Sequence, residues 1–467
     1  MKPTLSLLAA AIWLSGCAST ASSGVDIGLS QALEQHSQQT SLETAQWQGE
    51  QPDSALVQTQ LLALIDLPRL EALQARALSA NPDLQQTLLA LSISEQRLGV
   101  SRAAQLPNAS LGVDAQRSED DEGISTQYRA DLTVSWELDL WQRLADSSQA
   151  SLADLMAQEA DLAAAQASLV AQVLRTWLNW HTDGQLLAIE RQRAELQQSN
   201  LTLIQSRYQR GTGSLDDLDT ARSVLALTQA NIAASEAASN ARLRSLAALL
   251  GYADVSAMEQ AIPSLFSAFD APLDVAVPMT GLPVQDLAQR PDLQQAYHQL
   301  IAGEYRERVA YKALLPSINL SASLSDMGTS PSQALFASPA WSLLGGLTAP
   351  LFQGGALKAQ AEIAELEREQ AYWSFRASLL SAVVEVEDAL EQERSLAQQQ
   401  QHLSDALASA ERSQASYRSR YVSGLVEISQ LLDAQQNTFD SRSQLLQASR
   451  DRLLNRIDLG LALGLGV

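Results

Sequence analysis

Cysteine occurs once in 467 residues, at Cys17. A single thiol closes no internal disulfide and builds no thiolate metal cluster. Histidine is nearly as scarce: His36, His181, His298 and His402 are scattered without ligand spacing, which argues against a metal site or a catalytic cluster. Aromatic residues make up 5% of the chain against 46% hydrophobic residues, so the apolar content lies mainly in Ala, Leu and Val. That balance suits long packed helices better than a compact enzyme core. Cations are also in short supply, 31 Lys and Arg against 53 Asp and Glu, for a formal net charge of −22. Such a field repels phosphate backbones and excludes nucleic acid as a partner. No uninterrupted apolar run reaches ~18 residues, which excludes a membrane-spanning helix. Proline is missing from 108 to 262 and from 351 to the end, leaving room for very long helices.

At the amino end, Lys2 supplies a positive start and Leu5 to Leu14 a short apolar run that ends in Leu14-Ser15-Gly16-Cys17. The run is too short to span a bilayer. Its ending resembles a bacterial lipoprotein processing box. That resemblance implies a signal peptide over 1–16 and a covalent lipid on Cys17, the first residue of the mature chain. Ala18 in place of aspartate points to the outer membrane, and the small polar residues that follow suit a tether within 17–60.

The strongest pattern is an internal repeat. Asn81-Pro82-Asp83-Leu84-Gln85-Gln86 recurs as Arg290-Pro291-Asp292-Leu293-Gln294-Gln295, and Leu106-Pro107 recurs as Leu315-Pro316 at the same offset of 209. Arg207-Tyr208-Gln209-Arg210-Gly211 recurs as Arg420-Tyr421-Val422-Ser423-Gly424 at an offset of 213. The repeats are expected over 61–250 and 284–467, joined by a proline-bearing connector over 251–283. Each carries one plan: a helix, a β-hairpin (110–140 and 317–351), then a long helical hairpin (142–250 and 353–460). Leu155, Leu162 and Leu169 recur every seven residues. Ile363, Leu366, Trp373, Ala377, Leu380 and Val384 follow coiled-coil spacing.

The hairpins alternate with period two. Tyr128, Ala130, Leu132, Val134, Trp136, Leu138 and Leu140 interleave with Arg129, Asp131, Thr133, Ser135, Glu137 and Asp139. Leu111, Val113 and Ala115 mark the partner strand. Ile318, Leu320, Ala322 and Leu324 face Trp341, Leu343, Gly345, Leu347, Ala349 and Leu351 in the second hairpin. Four strands of this length fit an outer-membrane wall with a polar lumen, and the acidic tip 119–122 then faces outside the cell. Four strands close no barrel, and an open edge in lipid leaves backbone groups unpaired. Two copies would supply eight strands and three would supply twelve; the pattern does not choose. Two soluble hairpins packed on helices are the alternative.

Taken together, the box at Cys17, the repeated Pro-Asp-Leu, Trp136-Glu-Leu-Asp-Leu-Trp141, Leu351-Phe-Gln-Gly-Gly355, Glu385-Val-Glu-Asp-Ala-Leu390, the two Arg-Tyr-x-x-Gly turns and Leu431-Leu-Asp-Ala-Gln435 make the mature chain resemble one family. It is similar to the TolC-like outer-membrane efflux channels, in their OprM-like lipoprotein branch. The resemblance implies a mainly α fold in a homotrimer, with long helices forming an α-barrel. Four strands per chain would contribute to a shared 12-stranded β-barrel. It implies the exit duct of a tripartite efflux pump for drugs or other small toxic compounds, joined to a periplasmic adaptor and an inner-membrane transporter. The chain departs from the family at Gln142, where glycine is usual, which puts the strand-to-helix corner in doubt.

A duct requires no nucleophile. Gly211-x-Gly213 lacks the third glycine of a dinucleotide loop, and Asp216-Asp217 read as solvated turn residues, so no enzyme and no cofactor beyond the lipid are expected. By the resemblance, both turns lie at the periplasmic end. Tyr208, Gly211, Tyr421 and Gly424 are expected to shape docking tips for the adaptor. Asp216, Asp219, Glu427 and Asp433, with Arg207, Arg418 and Arg420, are candidates for a periplasmic gate. The same channel serving metal-ion efflux or type I protein secretion, and a non-pore periplasmic lipoprotein scaffold, are the alternatives.

Overall fold

The computed structural model describes residues 69–120, 123–266, 287–334 and 337–466. The lipoprotein signal, Cys17, the tether and most of the connector lie outside the described residues. Two short helices, α1 (Arg69–Ala80) and α2 (Pro82–Ala103), lead into strands β1 (Asn108–Asp120) and β2 (Gly123–Leu138). Helix α3 (Arg143–Gln209) and its return α4 (Leu215–Leu249) follow, then the short α5 (Val255–Ala261). The second pass runs α6 (Pro291–Lys312), β3 (Ser317–Gly328), the single turn α7 (Pro331–Ala334), β4 (Ala340–Thr348), α8 (Ala356–Val422) and α9 (Ile428–Ala462).

Three pairs of helices match exactly in length across the repeat. Helices α2 and α6 have 22 residues each, α3 and α8 have 67, and α4 and α9 have 35. At 1.5 Å per residue the 67-residue helices each run ~100 Å. The change of offset from 209 to 213 falls between the starts of β1 and β3 and the starts of α3 and α8, so the hairpin segment absorbs it. A matching latch holds both passes. Asn81 Nδ2 donates to the Leu249 carbonyl at 3.0 Å, and Arg290 Nη1 donates to the Ala462 carbonyl at 3.1 Å. The side chain preceding Pro-Asp-Leu thus ties the entry helix to the end of the long hairpin. Asn81 also caps α2 through Oδ1, a bond that Arg290 cannot make for α6.

The core sits where α1, α3, α4, α5, α8 and α9 meet, around Leu70, Trp177, Leu246, Met258, Val386 and Ile457. A smaller cluster of Ile204, Leu218 and Ala221 lies close to the turns, with Ile428 and Leu432 against it. The expected seam on α8 differs from the packed one. Ala361, Ala364, Phe375, Leu379, Ala382 and Val386 are buried, whereas Ile363, Leu366, Trp373, Leu380 and Val384 are all at least 45% exposed. Small residues let α8 approach its neighbours in the chain closely, and the bulky stripe is left on another face.

The four strands form one antiparallel sheet in the order β1-β2-β3-β4, with β1 and β4 at its edges. Leu111, Leu132, Leu324 and Trp341 form a row across it, and Ala109, Val134, Ala322 and Leu343 form the next. Side chains in register lie on one face. Most of that face is bare: Leu111 is 64% exposed, Leu343 70% and Trp341 78%. Only near the β3–β4 tip is it covered, where α7 packs on β2 and β3 and buries Ala130 and Asp326. Asp326 is satisfied there by the amides of Met327 and Ser338, at 2.8 Å each. Among the described residues, no helix is long and apolar enough to cross a membrane.

Candidate functional site

Both long hairpins reverse through the same turn. Gly211 adopts φ +74° and Gly424 φ +72°, the left-handed conformation that glycine reaches without a Cβ penalty. The Gly211 amide donates to the Tyr208 carbonyl and the Thr212 amide to that of Arg207, both at 2.9 Å. In the second turn the Gly424 amide donates to Tyr421 and the Leu425 amide to Arg420, at 3.0 and 2.9 Å. Ser214 caps α4 by accepting from the Asp217 amide at 3.0 Å, whereas Glu427 begins α9 without a side-chain cap. Neither glycine has anything within 4 Å of where a Cβ would stand, so the turns are open to the outside. Leu215, Val422 and Leu425 beside them are 51%, 82% and 75% exposed.

The two turns meet through an aromatic contact. The Arg207 guanidinium, at the end of α3, lies 5.1 Å from the ring centroid of Tyr421, at the end of α8. A guanidinium over a ring face is attracted by the ring's quadrupole. The Tyr421 hydroxyl is buried and has no hydrogen-bond partner in the structure, while Tyr208 is 42% exposed.

The acidic gate candidates are not joined to the basic ones within the chain. Asp219 pairs with Arg222 one turn along the same helix at 3.3 Å, and both side chains are more than half exposed. Asp216, Arg418, Arg420, Glu427 and Asp433 are all exposed. Asp433 borders a cleft of about 580 Å³ between α3, α4 and α9, opposite Asp217 and Asn200, with Leu227, Ile428 and Phe439 in its wall. Arg418 borders a groove with Glu411 along α8. Of the candidate residues, then, the fold joins Arg207 to Tyr421 and leaves the charges facing outward.

Further from the turns lie ionic contacts that no sequence pattern announced. Arg193 on α3 reaches Asp440 on α9 at 2.7 Å, and Arg175 binds Asp458 between the same two helices. Asp183 on α3 accepts from Arg242 on α4 at 2.8 Å. Burial is the main influence on its carboxyl and raises its pKa, against the opposing pull of Arg242 and Arg450. Glu393 on α8 takes both Arg452 and Arg456 of α9 through one oxygen, each at 2.9 Å. Arg456 is 2% exposed; burial pushes its pKa down, and Glu393 opposes that. These pairs join residues 59 to 283 positions apart, and such separations have no local signal.

Residues 73–252 and 282–465 match the outer membrane efflux protein family, once for each repeat. The probable efflux pump outer membrane protein SepC of Pseudomonas putida is 30% identical over 416 residues, which cover 85% of this chain and 84% of that protein. A protein described as the probable outer membrane lipoprotein SilC, from Salmonella typhimurium, is 28% identical over 85% of this chain and 86% of its own length. The solved outer-membrane channel OprN superposes with a TM-score of 0.79 at 23% identity, covering 90% of this chain and 95% of that one, a likeness of fold.

Proposed function

This chain belongs to the outer membrane efflux protein family, and we propose that it is the outer-membrane duct of an efflux pump, completed by three copies of itself. The observation that carries the reading is the bare apolar face of the sheet, with an unpaired strand at each edge. Hydrocarbon is the solvent in which that face costs nothing, and pairing β4 of one copy with β1 of the next leaves no edge. The helices support the same closure. On the β1 side, α2 exposes Leu89, Ile93 and Val100. On the β4 side, α8 exposes Ile363, Leu366, Trp373 and Leu380. A ring of copies sets one stripe against the other and gives the expected coiled-coil seam its partner. Three copies make twelve strands, the number that the family resemblance implies.

Cys17 carries the lipid in this reading, holding the amino end in the outer membrane. The long helices extend into the periplasm, where the turns meet the adaptor that joins the duct to an inner-membrane transporter. Tyr208, Gly211, Tyr421 and Gly424 shape those tips. Asp216, Asp219, Glu427 and Asp433, with Arg418 and Arg420, repeat by threefold symmetry around the aperture and act on ions as rings of charge. No catalytic group takes part: the duct passes what the transporter delivers, drugs or other small toxic compounds.

The purified protein in detergent should migrate at three times the chain mass and conduct ions across a planar bilayer. A water-soluble monomer without conductance would overturn the reading. The tips have their own test. Gly211→Val with Gly424→Val should leave trimers intact while abolishing efflux in cells that lack their own duct; undiminished efflux refutes the docking role.

A further inference from the structure

On the sheet's polar face the charges are not evenly spread. The β3 residues there are Ser317, Asn319, Ser321, Ser323, Ser325 and Met327, and the β4 residues are Ser342, Leu344, Gly346 and Thr348, none of them charged. The ionised side chains belong to β1 and β2. Glu137, at the strand's end, is neutralised by Arg143 through two bonds of 2.7 and 3.0 Å. Midway along, Arg129 Nε binds Asp131 Oδ2 at 2.6 Å. Asp114 stands directly across from Arg129 in the β1–β2 register. One guanidinium therefore stands among two carboxylates and is bonded to Asp131, so one negative charge per chain is left uncompensated at mid-strand. Neighbours on that face are Gly112, Gln116, Gln127 and Thr133, which carry no charge.

We propose that Asp114 and Asp131 determine the ionic preference of the membrane-spanning part of the duct, favouring cations, and that Arg129 limits that preference. This rests on the duct reading, in which the polar face lines a water-filled lumen. Three copies set three such groups around the axis at one depth. A ring of like charge inside low-dielectric walls concentrates counter-ions and excludes co-ions. The neutral serine walls of β3 and β4 supply no opposing charge. Arg129 is 56% exposed and Asp131 22%, so the pair stands at the surface of the polar face, within reach of ions in the lumen.

The test reads the local potential from the outer mouth, without passing the periplasmic aperture. Ser323→Cys places a thiol on the neutral wall of β3, one pleat pair from the strand partner of Asp131. Its rate of modification by a cationic (trimethylammonium) and an anionic (sulfonate) thiosulfonate reagent is measured on the full-length trimer at low salt, with the unsubstituted chain as blank. Relative to a small free thiol, the cationic reagent should be favoured at least about threefold. Adding Asp114→Asn and Asp131→Asn should abolish the preference, adding Arg129→Gln instead should increase it, and high salt should flatten both. A ratio that neither change moves overturns the proposal while leaving the duct intact. If neither reagent reaches the thiol, the polar face is no lumen and the duct reading itself fails.

Discussion

Arg207 lies 5.1 Å above the ring of Tyr421, so the last turn of α3 is held to the last turn of α8, one from each repeat. The contact joins an expected gate residue to an expected tip residue within one protomer, beside the apolar packing of Ile428 and Leu432 on Ile204 and Leu218. A cation–π contact at a partly exposed site contributes about 0.5–1 kcal/mol. Arg207→Ala should therefore lower the unfolding temperature only slightly while raising single-channel conductance, because the two tips no longer move together. Tyr421→Phe keeps the ring and should conduct as the natural protein does. Equal conductance in Arg207→Ala and Tyr421→Phe would dismiss the contact as a restraint on the aperture.

Glu393 is the acid on which the α8–α9 pairing depends. It is 3% exposed and holds two guanidiniums, one of them 2% exposed. Removing one member of a buried ion pair leaves uncompensated charge and costs about 3–5 kcal/mol. Glu393→Ala should show a loss of that order in thermal or denaturant unfolding. Arg456→Ala should lose less, since Arg452 still neutralises Glu393. Replacing both members of the pair, as Glu393→Leu with Arg456→Met, should recover much of the difference.

Gln142 holds a left-handed backbone, φ +59°, at the corner between β2 and α3. The equivalent corner of the second repeat has Gly355 at φ +87°. The surroundings hold Gln142 in place: Lys312 Nζ donates to its carbonyl at 3.3 Å and to Asp146 at 2.6 Å, and Asp139 caps the amides of Leu144 and Ala145. The departure from the family's glycine thus leaves the corner intact and adds strain. Gln142→Gly should stabilise the protein by up to about 1 kcal/mol, the balance between the Cβ penalty and the extra freedom of an unfolded glycine. A lower unfolding temperature would show that the Gln142 side chain contributes more than its backbone costs.

Asp183 should reverse the usual acid dependence. Its carboxyl is raised chiefly by burial, so the folded state prefers it protonated. The stability from this preference is complete below the unfolded pKa and lost as pH rises through the raised folded value. Asp183→Asn imitates the protonated form. The variant and the natural protein should unfold alike near pH 3, and the variant should gain relative to the natural protein as pH rises toward 7. A gap that is constant across this range, or that shrinks, would contradict the burial account.

Much of this architecture is legible in the sequence. Pro82 and Pro291 announced the starts of α2 and α6, because proline suits the first turn of a helix. Gly211 and Gly424 marked the reversals. Alternation over Tyr128–Leu138 announced a strand with one greasy side. Less legible was which helix face packs inside the chain. The α8 stripe through Leu366 and Trp373 has coiled-coil spacing, yet Phe375 and Leu379 are the residues buried within the protomer. Periodicity reports that a stripe will be covered, without saying by which chain.

The features that can be read from the chain alone are local and repeated: element order, helix length, the glycine turns and the two-faced strands. Each follows from dihedral preference and from the spacing of apolar residues over a few turns. The lateral pairings, such as Arg175 with Asp458, Glu393 with Arg456, and Arg207 with Tyr421, emerge from the packed fold. The physical reason is that a charge or a ring finds its partner by proximity in space. Along helices of ~100 Å, the register that creates this proximity is set by all the packed turns together.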